Sequence, residues 1–104
     1  MILRSWRGAV RAADAERYLA HQSETGVSDY RETEGNRGVL VLSRPRGDLV
    51  EVITLSLWES MDAVRRFAGD DPGVARFYPG DDDLLAQKDL HADHWEVVEM
   101  DLAP

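Results

Sequence analysis

Histidines are the side chains of this sequence best suited to acid–base chemistry, because a free imidazole titrates near neutral pH. The sequence contains three of them, His21, His91 and His94. His91 and His94 are three residues apart on a predicted strand, so they point to opposite faces and cannot hold a metal ion together. His94 is either a general base or the partner in one structural hydrogen bond. His21 is expected to be solvated on a predicted helix, and no metal site is expected.

Other polar side chains have a chemical use and a structural alternative. Tyr78 could donate a hydrogen bond into a pocket, or pack with its hydroxyl in water. Arg4 and Trp6 share one face of a predicted central strand, where a charge must be paired or must face a ligand. An ion pair with one of the 20 Asp and Glu residues is the expectation for Arg4. The run Asp81–Asp83 lacks the alternating ligands of a calcium loop and is expected to be solvated.

Composition limits the protein class. The 104 residues, 43% hydrophobic and 31% charged, are typical of one globular domain covering residues 1–104. The sequence has no cysteine, which excludes disulfides and thiolate chemistry. A net charge of −8 argues against nucleic acid and anionic membranes as partners. No apolar run reaches the roughly 18 residues of a membrane span and no signal-peptide core is seen, so a cytoplasmic location is expected.

Apolar spacing and turn residues predict the secondary structure. Alternation predicts strands at residues 2–10, 37–44, 49–58 and 92–100, with a turn at 45–48. Helical spacing predicts one helix after Asp14, stopped by Gly26 with a further turn near Tyr30, and a second helix between Ser60 and Gly69. A short helical turn is predicted from Asp71 and Pro72, and a loop with perhaps one turn at residues 81–88.

The order of these elements predicts the fold. Strand, helix, two strands, helix and strand form an α+β, ferredoxin-like βαββαβ domain, in which a four-stranded antiparallel sheet has both helices on one face. Apart from Glu51, residues 49–58 are largely apolar or small on both sides of the strand, which is unusual for a strand with one face in water. A second copy of the sheet is the simplest cover for the other face, so the sequence predicts a homodimer.

Four segments resemble one protein family, in the order of the predicted elements. They read GVSDYRETEGNRGVLVLSR, TLSLWESMDAVRRFAGDD, ARFYP and HWEVV. Together they are similar to the antibiotic biosynthesis monooxygenase family of dimeric α/β-barrel proteins. The family includes cofactor-free oxygenases that convert polycyclic phenols to quinones, and haem-degrading enzymes. The resemblance therefore implies a ferredoxin-like dimer with a pocket for a small aromatic or apolar molecule.

The resemblance also implies site residues. In the quinone-forming members an amide and a tryptophan on the third strand face the cavity, and Thr54 and Trp58 have that spacing here. A threonine holds an oxyanion less well than an amide does, and Trp58 is alternatively a core residue. His94, in the HWEVV segment, and Tyr78, in ARFYP, complete the implied catalytic set.

The haem-degrading branch relies on an asparagine on the first strand, near Trp6 or Arg7 here, on a tryptophan late in the second helix, and on a histidine ligand ten residues beyond that tryptophan. Phe67 and Phe77 stand at the last two positions, in that order, and cannot ligate iron, so the sequence argues against haem degradation by that mechanism. Both phenylalanines, with Arg4 and Trp6, are predicted to line the ligand pocket.

Three functions remain open from the sequence. The first is a cofactor-independent monooxygenase that oxidises a phenolic or polycyclic aromatic compound with O2. The second is a non-catalytic homodimer that binds a small apolar or aromatic ligand. The third is haem binding without the usual ligand set. No cofactor is expected, because the substrate supplies the electrons and no nucleotide-binding glycine pattern is present. A cavity of several hundred cubic ångströms between sheet and helices would favour a ligand.

Overall fold

Five antiparallel strands form one sheet in the computed structural model, which covers residues 1–104. The strands are β1 (Ile2–Arg11), β2 (Asn36–Arg46), β3 (Leu49–Trp58), β4 (Leu85–Lys88) and β5 (Asp93–Glu96). Their order is β2, β3, β1, and then β4 and β5, which both pair with the far side of β1. The predicted α+β class and the ferredoxin-like order are confirmed.

The β2–β3 hairpin is tighter than predicted. Arg46 pairs with Leu49, so only Gly47 and Asp48 form the loop, whereas the turn was expected at residues 45–48. Gly47 has φ +60°, a conformation that glycine adopts without strain in two-residue hairpin loops. Pro45 remains within β2 because that strand lies at the edge of the sheet, where a missing N–H is tolerated.

The fourth strand of the predicted fold is divided into β4 and β5. Residues 85–88 form a strand where a loop was predicted, and the strand predicted at 92–100 is limited to Asp93–Glu96. The four residues 89–92 separate the two pieces where Trp6 lies on β1, and the Trp6 indole donates to the carbonyl of Asp89 at 2.8 Å. Beyond β5 the amide of Val97 donates to the carbonyl of Met1, the residue that precedes β1, so no residues of β1 remain for further pairing.

The first helix is longer than predicted. It consists of α1 (Ala15–Gln22), one wider π-type turn at Ser23–Val27, and α2 (Ser28–Glu32). The predicted stop at Gly26 is wrong, since Gly26 is buried inside this helix. The predicted cap is also wrong, because the Asp14 side chain caps no amide and instead faces Arg11 and Arg17.

The second helix, α3 (Met61–Ala68), follows the prediction. The Ser60 hydroxyl accepts a hydrogen bond from the amide of Ala63, and Gly69 ends the helix with φ +88°. The helical turn predicted from Asp71 and Pro72 is wrong, because residues 70–80 contain no helix. This segment instead crosses the gap between β4 and β5, where the amide of Ala75 donates to the carbonyl of Leu90 at 2.9 Å. A short helix, α4 (Asp81–Leu84), then leads into β4.

The two faces of the sheet differ. On one face the fully buried Val52 and Trp58 pack against the helices. On the other face Leu40, Leu42 and Trp95 are 50%, 42% and 58% exposed and have no cover from a helix. This arrangement agrees with the two-sided apolar pattern of β3. No helix of the structure is long and apolar enough to cross a membrane.

Candidate functional site

Six of the eight aromatic residues line one cleft between the sheet, the first helix and residues 75–78. They are Trp6, Tyr18, Tyr30, Phe67, Phe77 and Tyr78. Tyr30 packs on Phe67 with ring centroids 4.5 Å apart, and Trp6 meets Phe77 edge to face at 6.1 Å. Such contacts hold rings in defined orientations. The predicted pocket residues Trp6, Phe67, Phe77 and Tyr78 therefore do come together.

The π-type turn explains why Tyr30 belongs to this cleft. Eight residues of regular α-helix overshoot two turns by roughly 80°, so Tyr30 would point away from the face that carries Gln22. A wider turn advances fewer degrees per residue, which reduces that overshoot. Both Gln22 and Tyr30 line the cleft as a result. The π-type turn at Ser23–Val27 therefore brings Gln22 and Tyr30 to the same side of the helix, where both face the cleft.

The cleft is narrow. Its volume is about 30 Å³, which suits one or two water molecules, whereas pockets for small organic ligands occupy roughly 300–1,000 Å³. The expected cavity of several hundred cubic ångströms is therefore not this cleft, but an open groove of about 380 Å³ does lie between the first helix and β2, lined by residues such as Val27, Val39 and Val41. Four of the lining residues of the cleft lie at 75–78, in the segment without regular structure.

Arg4 is buried in the wall of this cleft without a carboxylate partner. Its side chain is only 3% exposed and donates to the carbonyls of Pro72 and Val74 and to Nε2 of His94. The guanidinium also lies 5.8 Å from the centre of the Phe67 ring. The expected ion pair with an acid is wrong, because no Asp or Glu oxygen lies within ion-pair distance of Arg4. Burial lowers the pKa of Arg4, an effect that nearby Tyr30 and Tyr78 oppose.

His94 lies behind Arg4 and is not part of the cleft lining. A guanidinium can only donate, so Nε2 of His94, 3.0 Å from Nη1 of Arg4, is the acceptor and the imidazole is neutral. Burial, and then the charge of Arg4, lower the pKa of His94, while Asp93 acts in the opposite direction. This geometry corresponds to the structural hydrogen bond that the sequence left as an alternative.

Thr54 and Trp58 also lie behind the lining. Thr54 is buried, and its hydroxyl accepts from the side-chain amide of Gln22 at 2.5 Å. Trp58 is fully buried beside Val64 and donates from its indole nitrogen to the Ser56 hydroxyl at 2.9 Å. Neither Thr54 nor Trp58 contributes to the cleft surface.

Tyr78 lines the cleft, but its hydroxyl already donates a hydrogen bond to another side chain of the protein. The hydroxyl donates to Asp29 at 2.7 Å, while the Tyr78 amide donates to Asp81 at 2.8 Å. Burial, and then this hydrogen bond to Asp29, raise the pKa of Tyr78. Tyr78 is therefore a neutral phenol fixed between two acidic residues.

Three cleft residues with polar groups free to bond to a ligand, namely Tyr18, Gln22 and Tyr30, were not singled out as site residues from the sequence. Gln22 is 8% exposed, and its side-chain oxygen is buried without a hydrogen-bond partner. Neither the Tyr18 nor the Tyr30 hydroxyl bonds to a protein group, and burial raises the pKa of both, so they stay protonated as donors. The available signal was Gln22 itself, a polar residue on the helix face that also carries Tyr18.

A side-chain hydrogen bond joins the first helix to the far side of the cleft. Nε2 of His21 lies 2.7 Å from Oδ1 of Asp81, and Asp81 is only 8% exposed. The expectation that both residues are solvated is wrong for this reason. Gly80 permits the contact, since a Cβ there would lie 3.2 Å from the His21 ring and its φ is +95°.

No family model and no curated protein matches the chain by sequence. Solved structures do match. A crystal structure described as an antibiotic biosynthesis monooxygenase from Bacillus cereus is 17% identical, with a TM-score of 0.68 and coverage of 98% of this chain and 97% of that chain. A MhuD variant with two manganese protoporphyrin IX molecules per active site is 18% identical, with a TM-score of 0.61 and full coverage of both chains.

A haem-degrading protein from Mycobacterium tuberculosis, in a haem-free form, is 19% identical, with a TM-score of 0.52 and coverage of 99% and 100%. Identities this low establish a shared fold and leave the activity open. Haem degradation therefore stays within the range of functions that this fold supports. The chain has the ferredoxin-like fold of the antibiotic biosynthesis monooxygenase-like proteins, in agreement with the resemblance of its sequence segments.

Proposed function

We propose that the protein is a cofactor-independent monooxygenase that oxidises an electron-rich phenolic or polycyclic aromatic compound with O2. The convergence of six aromatic rings with unpartnered phenolic donors in one cleft carries this proposal. Flat rings favour a flat aromatic ligand. The fold shared with a Bacillus cereus protein that is described as an antibiotic biosynthesis monooxygenase adds support.

The proposed reaction balances without an added reductant. A CH2 carbon between two aromatic rings loses two hydrogens and gains one oxygen atom as a carbonyl, while the second oxygen atom leaves with those hydrogens as water. The substrate supplies the electrons that reduce O2. Hydrogen bonds from neutral Tyr18 and Tyr30, with the charge of Arg4, would stabilise the substrate anion that reacts with oxygen.

The remaining predicted site residues fit indirect roles in this proposal. His94 positions Arg4, and Thr54 positions Gln22. Trp58 supports Phe67, with ring centroids 5.7 Å apart. Tyr78 contributes one wall of the cleft and closes it by bonding to Asp29.

Oxygen consumption with anthrone as the substrate tests the proposal. Purified protein without added cofactor should form the quinone, and Tyr18→Phe with Tyr30→Phe should lower the rate at least tenfold. Arg65→Met is the matched control, because Arg65 lies on the outer surface of α3 beside Asp62. A rate equal to the uncatalysed oxidation would contradict the proposal.

The same cleft also fits a protein that binds an aromatic ligand without changing it. The observation that favours this second function is the lack of a free base in the lining. Asp81, its one carboxylate, is bonded to His21 and to the Tyr78 amide, and burial raises the pKa of all three tyrosines, which therefore stay protonated. Under this alternative, aromatic ligands raise the melting temperature and are recovered unchanged. Hemin belongs in the same screen, and a shifted Soret band would redirect the assignment toward haem.

A homodimer through the open sheet face is the second part of the proposal. The exposed Leu40, Leu42 and Trp95 form a continuous apolar surface with the partly buried Ile53 and Leu55. Such surfaces are typical of protein interfaces. Light scattering at micromolar concentration should give twice the 11.7 kDa of one chain, and Leu42→Asp should return the mass toward the monomer. A monomeric mass for the unaltered protein would refute the dimer.

A further inference from the structure

We propose that the molecule bound in the cleft carries an anionic oxygen, and that Arg4 binds this oxygen as the counter-ion that the protein does not supply. The proposal rests on the proposed function, because it concerns the same cleft. It narrows the ligand to planar aromatic compounds that present a carboxylate, phenolate or enolate.

The charge balance around Arg4 is the first step. A buried cation normally has an acid beside it, because transferring a charge from water into the protein interior costs on the order of several kcal/mol. The partners of Arg4 are two carbonyl groups and one neutral imidazole, all without charge. Arg76 provides a contrast in the same lining, since its guanidinium lies 3.3 Å from Oδ2 of Asp29.

The acids near the cleft are already committed to other groups. Asp81 is bonded to His21 at 2.7 Å and to the Tyr78 amide at 2.8 Å. Asp29 accepts from the Tyr78 hydroxyl at 2.7 Å and faces Arg76. Neither acid therefore neutralises Arg4, and the positive charge in the cleft wall is left for a ligand.

Donor and acceptor directions form the second step. Nε of Arg4 makes no hydrogen bond to the protein, since the contacts of this side chain all use Nη1 and Nη2. Tyr30 packs on the same Phe67 ring that the guanidinium approaches, and its hydroxyl is a second unpartnered donor. An anionic oxygen would accept from both. The buried oxygen of Gln22 can accept from a separate hydroxyl on the ligand.

Calorimetric titration of the full chain at pH 7.5 tests the inference with three naphthalene probes. The probes are 2-naphthoate, which is anionic, 2-naphthol, which is neutral but acidic, and 2-methoxynaphthalene, which is neutral and cannot ionise. We expect 2-naphthoate to bind at least roughly tenfold more tightly than 2-methoxynaphthalene, because only the carboxylate can form a charged hydrogen bond with Arg4. If the anion is instead a phenolate, 2-naphthol binds most tightly and its absorption shifts to the phenolate spectrum.

Variants identify Arg4 as the source of the preference. Arg4→Met should abolish the preference for the anionic probe, and Arg4→Lys should retain most of it because the charge is kept. Arg65→Met is the matched control: it removes a cation that Asp62 already neutralises on the outer surface of α3, outside the cleft lining, so the preference should change less than threefold. Circular dichroism establishes whether each variant is folded. If Arg4→Met does not fold, the anion preference is judged from the three probes on the unaltered protein.

Equal affinity for all three probes would overturn the inference, as would a preference that survives Arg4→Met. Failure of this inference is separable from failure of the proposed function. Anthrone oxidation without any preference for anions refutes only the role of Arg4. An Arg4-dependent preference without oxygen consumption refutes only the oxygenase, and leaves a binding protein for aromatic anions.

Discussion

The buried layer between sheet and helices has two parts that differ in whether their buried polar groups have partners. Around Trp58 the residues Ala63, Val64 and Phe67 are packed with almost no exposure, and the one polar atom of the Trp58 side chain has a partner in Ser56. In the adjoining cleft, Arg4 has no counter-ion and the oxygen of Gln22 has no partner. The first part is built for stability, whereas the second holds polar groups that a stable core would avoid.

This difference is informative because unsatisfied buried groups lower stability and persist mainly where another role requires them. Phe67 belongs to both parts, since one side contacts Trp58 and the other side faces Arg4 and Arg76. The packed part therefore acts as the rigid support of the cleft. Truncating a side chain of the packed part should lower stability, whereas removing the unsatisfied polar group of the cleft together with its partner should preserve or raise it.

The largest effect is expected from Trp58→Ala. Removing this fully buried indole leaves a cavity in the packed part and should lower the free energy of unfolding by about 3–5 kcal/mol. Urea unfolding followed by circular dichroism measures the change. Trp58→Phe is the control and should cost clearly less, and a loss below about 1 kcal/mol for Trp58→Ala would contradict the packed description.

Gly8→Ala should have the next largest effect, because Gly8 lies under the Trp6 ring. A Cβ at Gly8 would approach Cη2 of Trp6 to 2.5 Å and the Gln87 carbonyl to 3.1 Å. Overpacking of this kind costs about 1–3 kcal/mol and should move Trp6 out of the cleft wall. The matched variant Gly73→Ala meets only Asp71 at 3.7 Å and should stay within about 0.5 kcal/mol of the unaltered protein. Similar melting temperatures for both variants would count against the described position of Trp6.

Replacing both members of the Gln22–Thr54 hydrogen bond should preserve or increase stability. The double variant Gln22→Met, Thr54→Val removes the unpartnered oxygen of Gln22 together with its bonded hydroxyl, for a gain of up to about 1 kcal/mol. Thr54→Val alone should be destabilising, because it leaves the Gln22 amide without an acceptor. A thermal double-mutant cycle tests this, and a double variant less stable than Thr54→Val would break the contrast between the two parts.

The smallest expected effect is a dependence of stability on pH through His94. Burial and Arg4 lower the pKa of His94 in the folded protein, so the unfolded chain takes up a proton first as the pH falls. The contribution of His94 is complete above its ordinary pKa of about 6.5 and is lost as the pH falls below that value. Melting temperatures between pH 7.5 and 5 should decline less for His94→Gln, which keeps an acceptor for Arg4 without titrating. Parallel profiles for the two proteins would rule out this role of His94.

Local signals in the sequence predicted those parts of the fold that depend on neighbouring residues. Ser60 and Gly69 bounded α3 correctly, because capping and positive φ are properties of a few adjacent residues. Gly26 misled the prediction for the same reason, since it lies inside the continuous first helix and packs next to the Tyr78 ring, 3.6 Å from a built Cβ. A contact with a residue 52 positions away leaves no local signal.

The candidate site was only partly predictable for a related reason. Spacing placed Arg4 and Trp6 on one face, and both do line the cleft. The partners of Arg4 are main-chain carbonyls of Pro72 and Val74, which any residue type would provide. The pair of His21 with Asp81 joins segments 60 residues apart. Sequence patterns identify which side chains are buried more readily than they identify which groups those side chains meet.

The division of the last strand into β4 and β5 has a consequence for how copies of this chain can join along their sheets. A continuous edge strand is a template on which another strand can add, and repeated addition leads to fibres. Here the edge beside β1 is broken at residues 89–92, and Val74 already pairs with His91 inside that gap. Only β2 offers an unbroken edge, and Pro45 near its end lacks the N–H that extended growth would need. The residues that make room for Trp6 thereby also protect one side of the sheet from aggregation.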